Sequence, residues 1–182
     1  MKLKKIENLR KYFIYFMMYA VVGWLYEVFL EVVIYKWGFS NRGVLFGPYL
    51  PIYGFGALVF IMLFYKFSQK KQPFFEKIAS IIIVFLGCAF TATIIELVTS
   101  YILEIITGSW PWQTYTDYTY NFQGRIALSP SIRFGLGGLF FIYVLQPIFE
   151  KIVNSFSRKI LVIISSFLFI SVFIDFLFIS LL

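Results

Sequence analysis

Five apolar stretches, each close to or above the roughly 20 residues that cross a bilayer as a helix, constrain this chain more than any other feature. They run from about Tyr12 to Tyr35, Tyr49 to Tyr65, Ile78 to Ile106, Ile132 to Phe149 and Ile160 to Leu182. Each is expected to be helical, because backbone exposed to lipid must satisfy its own hydrogen bonds. Only 14% of the 182 residues are charged, against about 25% in a soluble domain. A chain this apolar cannot cover itself with polar surface. The expected fold is all-α: a polytopic transmembrane helix bundle forming a single integral membrane domain over residues 1–182.

The basic residues orient the spans. With the N-terminus in the cytoplasm, the inner segments hold Lys2, Lys4, Lys5, Arg10, Lys11, Lys66, Lys70, Lys71, Lys77, Lys151, Arg158 and Lys159, and the outer segments hold only Lys36, Arg42, Arg125 and Arg133. That is the positive-inside pattern. The basic start resembles a signal peptide, but the apolar stretch is too long and no small-x-small site follows. A retained first span is expected, with the C-terminus outside and no outer domain beyond Leu182. Trp110, Trp112, Tyr115, Tyr118 and Tyr120 crowd the third connection and suit the headgroup layer.

Much chemistry is excluded. The chain has no histidine, and its single cysteine, Cys88, sits within an apolar run. Imidazole catalysis, histidine-ligated metals and intrachain disulfides are therefore out. There is no GxxxxGK[ST] loop, so the chain does not hydrolyse ATP alone. No metal or cofactor is expected. The net charge of +7 tracks the membrane boundaries, so the partner is the lipid bilayer and not nucleic acid.

An internal echo is visible. Glu27 leads to Asn41-Arg42-Gly43, then Pro48, then Gly54-Phe55-Gly56; Glu96 leads to Gly124-Arg125, then Pro130, then Gly135-Leu136-Gly137. The lengths differ, the stretch from Glu96 to Arg125 being nearly twice that from Glu27 to Arg42. The expected organisation is repeat one over about 12–66, a like-oriented repeat two over about 78–149, and an appended span over about 160–182. Matched Gly/Pro-interrupted segments in two halves point to binding sites in transporters, since proline lacks an N–H and glycine permits strained turns. The glycines also serve simply to let helices approach closely.

Acids inside spans are costly and rare. At about 1.5 Å per residue, Glu27 lies roughly 22 Å, Glu96 roughly 27 Å and Asp175 roughly 22 Å into their spans. Glu27 and Glu31 share a helix face, as do Glu96, Ser100 and Glu104. A carboxylate in hydrocarbon needs a cation, water or a proton. Glu27 and Glu96 are expected to pair with Arg42 and Arg125, with Asn41 and Asn121 supplying amide groups, while Asp175 meets water near its helix end. Two readings follow: structural ion pairs that fix register, or an outward-facing cavity in which Glu27, Glu31, Asn41, Arg42, Glu96, Asn121 and Arg125 bind substrate. At the inner face Lys66, Lys70, Lys71, Lys77, Gln69 and Gln72 form a short basic loop. It fits anionic lipid, or docking of a cytoplasmic ATPase.

The run Gly23-Trp24-Leu25-Tyr26-Glu27, continuing through Asn41-Arg42-Gly43-Val44-Leu45-Phe46-Gly47-Pro48-Tyr49-Leu50-Pro51-Ile52-Tyr53-Gly54-Phe55-Gly56, resembles a bacterial family called putative ABC transporter permease, type IV. Asn121-Phe122-Gln123-Gly124-Arg125-Ile126-Ala127-Leu128 is similar to the family's second signature. One departure stands out: the family often carries Trp-Asp-Tyr-Ser before that asparagine, whereas this chain reads Gln113-Thr114-Tyr115-Thr116 and keeps only the tyrosine, with Trp112 and Asp117 nearby. The resemblance implies a multi-pass protein of the bacterial cell membrane that works as a permease subunit with an ATPase.

Three functions compete at this level. A permease would bind a small polar solute at the Glu/Arg residues. It also needs an inner exit, yet the inner half-spans offer little polarity beyond Ser80, Thr91, Thr93 and Gln146; a homodimer would supply the missing wall. An intramembrane enzyme or binding protein for a lipid or isoprenoid phosphate would use two carboxylates as acid and base and arginines on phosphate. A non-catalytic partner subunit would hold fully satisfied charge pairs.

Overall fold

The computed structural model describes residues 2–43, 45–69 and 72–181, with Lys2 described in its backbone alone. Val44 of the first motif and Lys70 and Lys71 of the basic loop lie outside the described residues, as do Met1 and Leu182. The elements are α1 (Lys2–Phe29, extended by a π turn over Leu30–Ile34), α2 (Pro51–Ser68), α3 (Phe74–Thr107), a 3-10 turn (Gln113–Asp117), the strands β1 (Asn121–Phe122) and β2 (Ile126–Ala127), α4 (Leu128–Phe140), a second π turn (Phe141–Leu145), α5 (Gln146–Asn154) and α6 (Arg158–Ser180). The five expected spans are present, among the described residues, as five helices long and apolar enough to cross a membrane: Leu3–Ile34, Pro51–Ser68, Phe74–Thr107, Leu128–Asn154 and Arg158–Ser180.

Local sequence explains the boundaries. Pro51 opens α2, where its missing N–H costs nothing. Gly108 ends α3 with φ 77°, its N–H returning to the Glu104 carbonyl at 2.9 Å, a left-handed cap that glycine adopts without strain. Ser157 caps α6 by accepting from the Ile160 N–H. The fourth span continues past Pro147 because the π turn immediately ahead of it widens the helix. That widening relieves the clash a proline ring makes with the preceding turn. The first helix begins well before the apolar run. Lys4, Lys5, Arg10 and Lys11 are good helix formers, so polarity there does not interrupt the helix.

The chain divides into two compact units, Met1–Val59 with Pro147–Leu182, and Phe60–Gln146. In the first, α6 packs on α1, so the span expected as an appendage shares a core with the first span. Met17, Ala20, Leu45 and Tyr49 form that core, with Phe13, Phe16, Leu168 and Val172 against it. Arg10 donates to Ser165 Oγ at 2.6 Å and Ser166 Oγ at 3.3 Å, fastening the same two helices. The Leu50 N–H reaches back to the Ala20 carbonyl at 2.9 Å, pinning the start of α2 to α1.

In the second unit α3 and α4 pack closely. Gly138 lies so near Cys88 that a Cβ there would overlap the cysteine side chain, and one on Gly135 would sit 3.0 Å from the Phe85 carbonyl oxygen. Thr93 donates to Ser131 Oγ at 2.7 Å across the same pair. Cys88 is fully buried in this contact.

The glycine pairs behave alike in both units. A Cβ on Gly54 would lie 2.7 Å from the Phe16 carbonyl oxygen and one on Gly135 3.0 Å from that of Phe85, whereas a Cβ on Gly56 or Gly137 would meet no other element within 4 Å among the described residues. Phe16 precedes Glu27 by the same interval that separates Phe85 from Glu96. The first glycine of each Gly-x-Gly is thus a helix-contact point at the same register below its glutamate.

Candidate functional site

In the first unit the site grows from the end of α1 and the loop that follows. The π turn carries Glu31, which is buried. Its Oε1 meets Arg42 Nη2 at 3.0 Å and accepts from Ser40 Oγ at 2.8 Å. Asn41 acts as a loop brace: its Nδ2 donates to the Leu45 and Phe46 carbonyls at 3.2 and 2.9 Å, and its Oδ1 accepts from Trp24 Nε1 at 2.8 Å. Glu27 accepts a hydrogen bond from the Tyr53 hydroxyl.

Beyond Gly43 (φ 95°) the loop turns its amides toward α6. Asp175 accepts from the Phe46 N–H at 3.0 Å, the Gly47 N–H at 2.9 Å and the Tyr49 hydroxyl. Burial, reinforced by the bond to Asp175, raises the Tyr49 phenol above its ordinary value of 10. Asp175 therefore does not meet water at a helix end. The amides freed by the Gly/Pro motif are taken by a carboxylate of this chain.

In the second unit the third connection is an arm folded onto α3. The strands pair Asn121 with Ala127 and Phe122 with Ile126. Gln123 and Gly124 at the turn have φ 55° and 63°, and the Arg125 N–H closes on the Phe122 carbonyl at 3.0 Å. Gln123, Gly124 and Arg125 lie between the paired residues, and the two positive φ values at the centre of the Phe122–Arg125 turn match the twist of paired strands. Asn121 stabilises the turn by accepting from the Gly124 N–H at 2.9 Å and donating to the Tyr118 carbonyl at 2.7 Å.

This hairpin delivers Arg125. Its guanidinium lies over the rings of Tyr101 and Trp110, at 4.1 and 4.0 Å from their centroids. It donates to Ser100 Oγ at 3.3 Å and pairs with Glu104. Cation–π contacts strengthen when desolvated, and Arg125 is only 7% exposed. Trp112 Nε1 donates to the Arg125 carbonyl at 2.9 Å, and Trp110 Nε1 to that of Gly124 at 3.2 Å. These tryptophans are thus part-buried clamps around an arginine, beyond any headgroup role. Deeper along α3, Glu96 Oε1 accepts from the Tyr115 hydroxyl at 2.8 Å, while Oε2 is buried with no hydrogen-bond partner among the described residues. Burial, then the charge of Glu96, raises the Tyr115 phenol above 10.

The expected partners are corrected by one or two helical turns. Arg42 pairs with Glu31 and Arg125 with Glu104; Glu27 and Glu96 meet Tyr53 and Tyr115 instead. Both arginines follow the ends of their helices, so the acid nearest the end lies within reach. The deeper acids are met by phenols, which bring one polar atom on an apolar ring. Helical spacing alone puts Glu31 beside Glu27, and Ser100 and Glu104 beside Glu96. Sequence reasoning misses Tyr53, Tyr49, Ser40, Tyr101 and the partners of Asp175. No local pattern marks the two tyrosines, because Tyr49 precedes α2 and the acids that it and Tyr53 meet, Asp175 and Glu27, are distant in sequence.

A five-span helical protein with acid–arginine clusters on separate helices belongs to the class of polytopic membrane proteins. The sequence profile of the family described as putative ABC-transporter type IV matches residues 14–180, and the chain belongs to that family. Neither the comparison with curated proteins nor that with solved structures returned a match. The family places the chain in a membrane, in a transport-related role.

Proposed function

We propose that the chain is a permease or permease subunit whose acid–arginine clusters, one in each unit, take part in binding a small polar solute at the outward face. Glu27, Glu31, Asn41 and Arg42 would form the first cluster and Glu96, Asn121 and Arg125 the second. The observation that carries this reading is that neither ion pair is shut. Arg42 keeps 37% of its side chain exposed over a Glu31 at 8%, and Glu104 keeps 42% over an Arg125 at 8%. A pair serving register alone is best fully desolvated and fully hydrogen-bonded, because a half-satisfied buried charge is costly. Here each pair leaves one charge exposed, Arg42 beside its cluster's buried acid and Glu104 beside the buried Arg125.

The asparagines contribute by shape. Asn41 and Asn121 spend their amides on loop carbonyls and amides, so their role is to hold Arg42 and Arg125 in place. The ATPase that the family name requires would be a cytoplasmic partner, the basic loop at Lys66 and Lys77 would be its docking point, and a bacterial cell membrane would be its setting. A second copy of the chain would complete the inner path.

The test is a metabolite profile of cells expressing the wild-type chain, Glu31→Gln, Arg42→Ala or both, at matched protein levels. One solute is expected to change in abundance with the wild type and to stop changing in all three variants. Profiles of folded variants that all match the wild type would remove the solute-binding reading.

A further inference from the structure

Beside the arm of the second unit lies a cleft of about 350 Å³, lined by Tyr118, Thr119, Tyr120, Leu128, Ser129, Ile132 and Arg133. None of these belongs to the acid–arginine clusters. Arg133 Nη2 donates to the Tyr118 hydroxyl and to Ser129 Oγ, each at 3.1 Å. This fixes a guanidinium and two hydroxyls at one end of the cleft. A guanidinium carries five N–H donors in a planar fork, and its bidentate geometry matches phosphate oxygens.

The apolar part of the lining, Leu128 and Ile132, continues down α4. Leu128, Ile132, Leu136 and Phe140 recur every fourth residue and are 53%, 44%, 57% and 49% exposed. Residues four apart lie on one helix face, so these four form a slowly slanting aliphatic and aromatic stripe. From Leu128 to Phe140 it covers about 18 Å of helix rise. The hydrocarbon of one leaflet is about 15 Å deep, half of the roughly 30 Å core. A cation with hydroxyl donors at the head of a leaflet-length apolar stripe has the outline of a lipid.

We propose that this cleft and stripe bind an anionic phospholipid, its phosphate on Arg133, Tyr118 and Ser129 and one acyl chain along Leu128, Ile132, Leu136 and Phe140. The exposed Tyr120 ring (72%) flanks the headgroup, where an amphipathic ring is at home at the membrane interface. The site is separate from the solute-binding reading above and stands if that reading fails. The lipid also has a structural consequence. Tyr118 packs edge-on against Tyr115 with centroids 5.5 Å apart, and Tyr115 holds Glu96. Occupancy of the cleft therefore steadies the arm segment that positions a buried acid.

The experiment is native mass spectrometry of the full-length chain released from micelles doped with phosphatidylglycerol, phosphatidylcholine or inorganic phosphate. The wild type is expected to retain one phosphatidylglycerol in preference to phosphatidylcholine. Arg133→Gln is expected to weaken this about tenfold through loss of the charge-assisted bonds. Arg133→Lys, which keeps the charge and loses the fork, is expected to weaken it less than Arg133→Gln, and Leu136→Ser to weaken it about threefold through lost apolar contact. Arg158→Gln, on α6, is expected to change nothing. Equal retention of both lipids, or undiminished phosphatidylglycerol on folded Arg133→Gln, would overturn the proposal. Millimolar phosphate displacing the lipid, with Leu136→Ser inert, would overturn it in favour of a soluble anion. Should Arg133→Gln fail to fold, Arg133→Lys and Leu136→Ser decide the matter alone.

Discussion

The two acid–arginine clusters share a register and differ in what they bury. In each, a glycine touches a phenylalanine carbonyl at one shared interval below the inner glutamate, and a tyrosine hydroxyl caps that glutamate. The charges then invert. The first unit buries the acid, Glu31, and leaves Arg42 half open; the second buries Arg125 and leaves Glu104 open. Chain length is the cause. The short connection from Glu27 brings Arg42 only to the edge of the helix end, on a loop held from behind by Asp175. The connection from Glu96, nearly twice as long, gives the second unit enough chain for a hairpin and two tryptophans that close over Arg125. Matching Glu27 to Glu96 aligns Glu31 with Ser100, so Arg125 meets a serine where Arg42 meets an acid, and finds its carboxylate one turn further on at Glu104.

This contrast can be broken by mutation. Asp175→Ala should have the largest effect. It strands two loop amides and the Tyr49 hydroxyl, and is expected to destabilise the chain by about 4 kcal/mol in thermal unfolding from micelles. Asp175→Asn, which keeps an acceptor, should lose less. Arg125→Ala is expected to cost about 3 kcal/mol, from the two ring contacts and a disturbed ion pair. Arg125→Lys should recover little, because a compact ammonium cannot fill the slot between two rings.

The glycines come next. Gly54→Ala and Gly135→Ala each press a methyl against a backbone carbonyl and should cost about 2 kcal/mol. Gly56→Ala and Gly137→Ala, with open space around them, should fall within about 0.5 kcal/mol of wild type. If all four behave alike, the shared register is not what packs these helices. Arg42→Ala is also expected to cost little, about 1 kcal/mol or less, because its guanidinium is partly solvated. A cost at Arg42 equal to that at Arg125 would erase the asymmetry between the clusters.

The spans are legible in the sequence because apolar runs of roughly 20 residues have few alternatives in a bilayer. Helical spacing likewise places Glu27 with Glu31, and Ser100 and Glu104 with Glu96. Which acid each arginine reaches is not legible, since that depends on how a short or a long connection folds. The hairpin at Gln123-Gly124 is hidden because glutamine carries no signal for a left-handed conformation. Here its side chain is held by the Tyr101 hydroxyl at 2.6 Å. Asp175 is the least readable residue. Its partners are the amides of Phe46 and Gly47, 129 and 128 positions earlier, and no local pattern encodes a bond to a distant backbone.

The pairing of each arginine with the acid nearest its helix end is the claim on which the rest depends. A double-mutant cycle of Glu31→Gln with Arg42→Gln, set beside one of Glu27→Gln with Arg42→Gln, measures it in the full-length chain by thermal unfolding. The account predicts a coupling of about 1 kcal/mol for Glu31 with Arg42 and none for Glu27 with Arg42. Coupling through Glu27, with additive effects at Glu31, would contradict it.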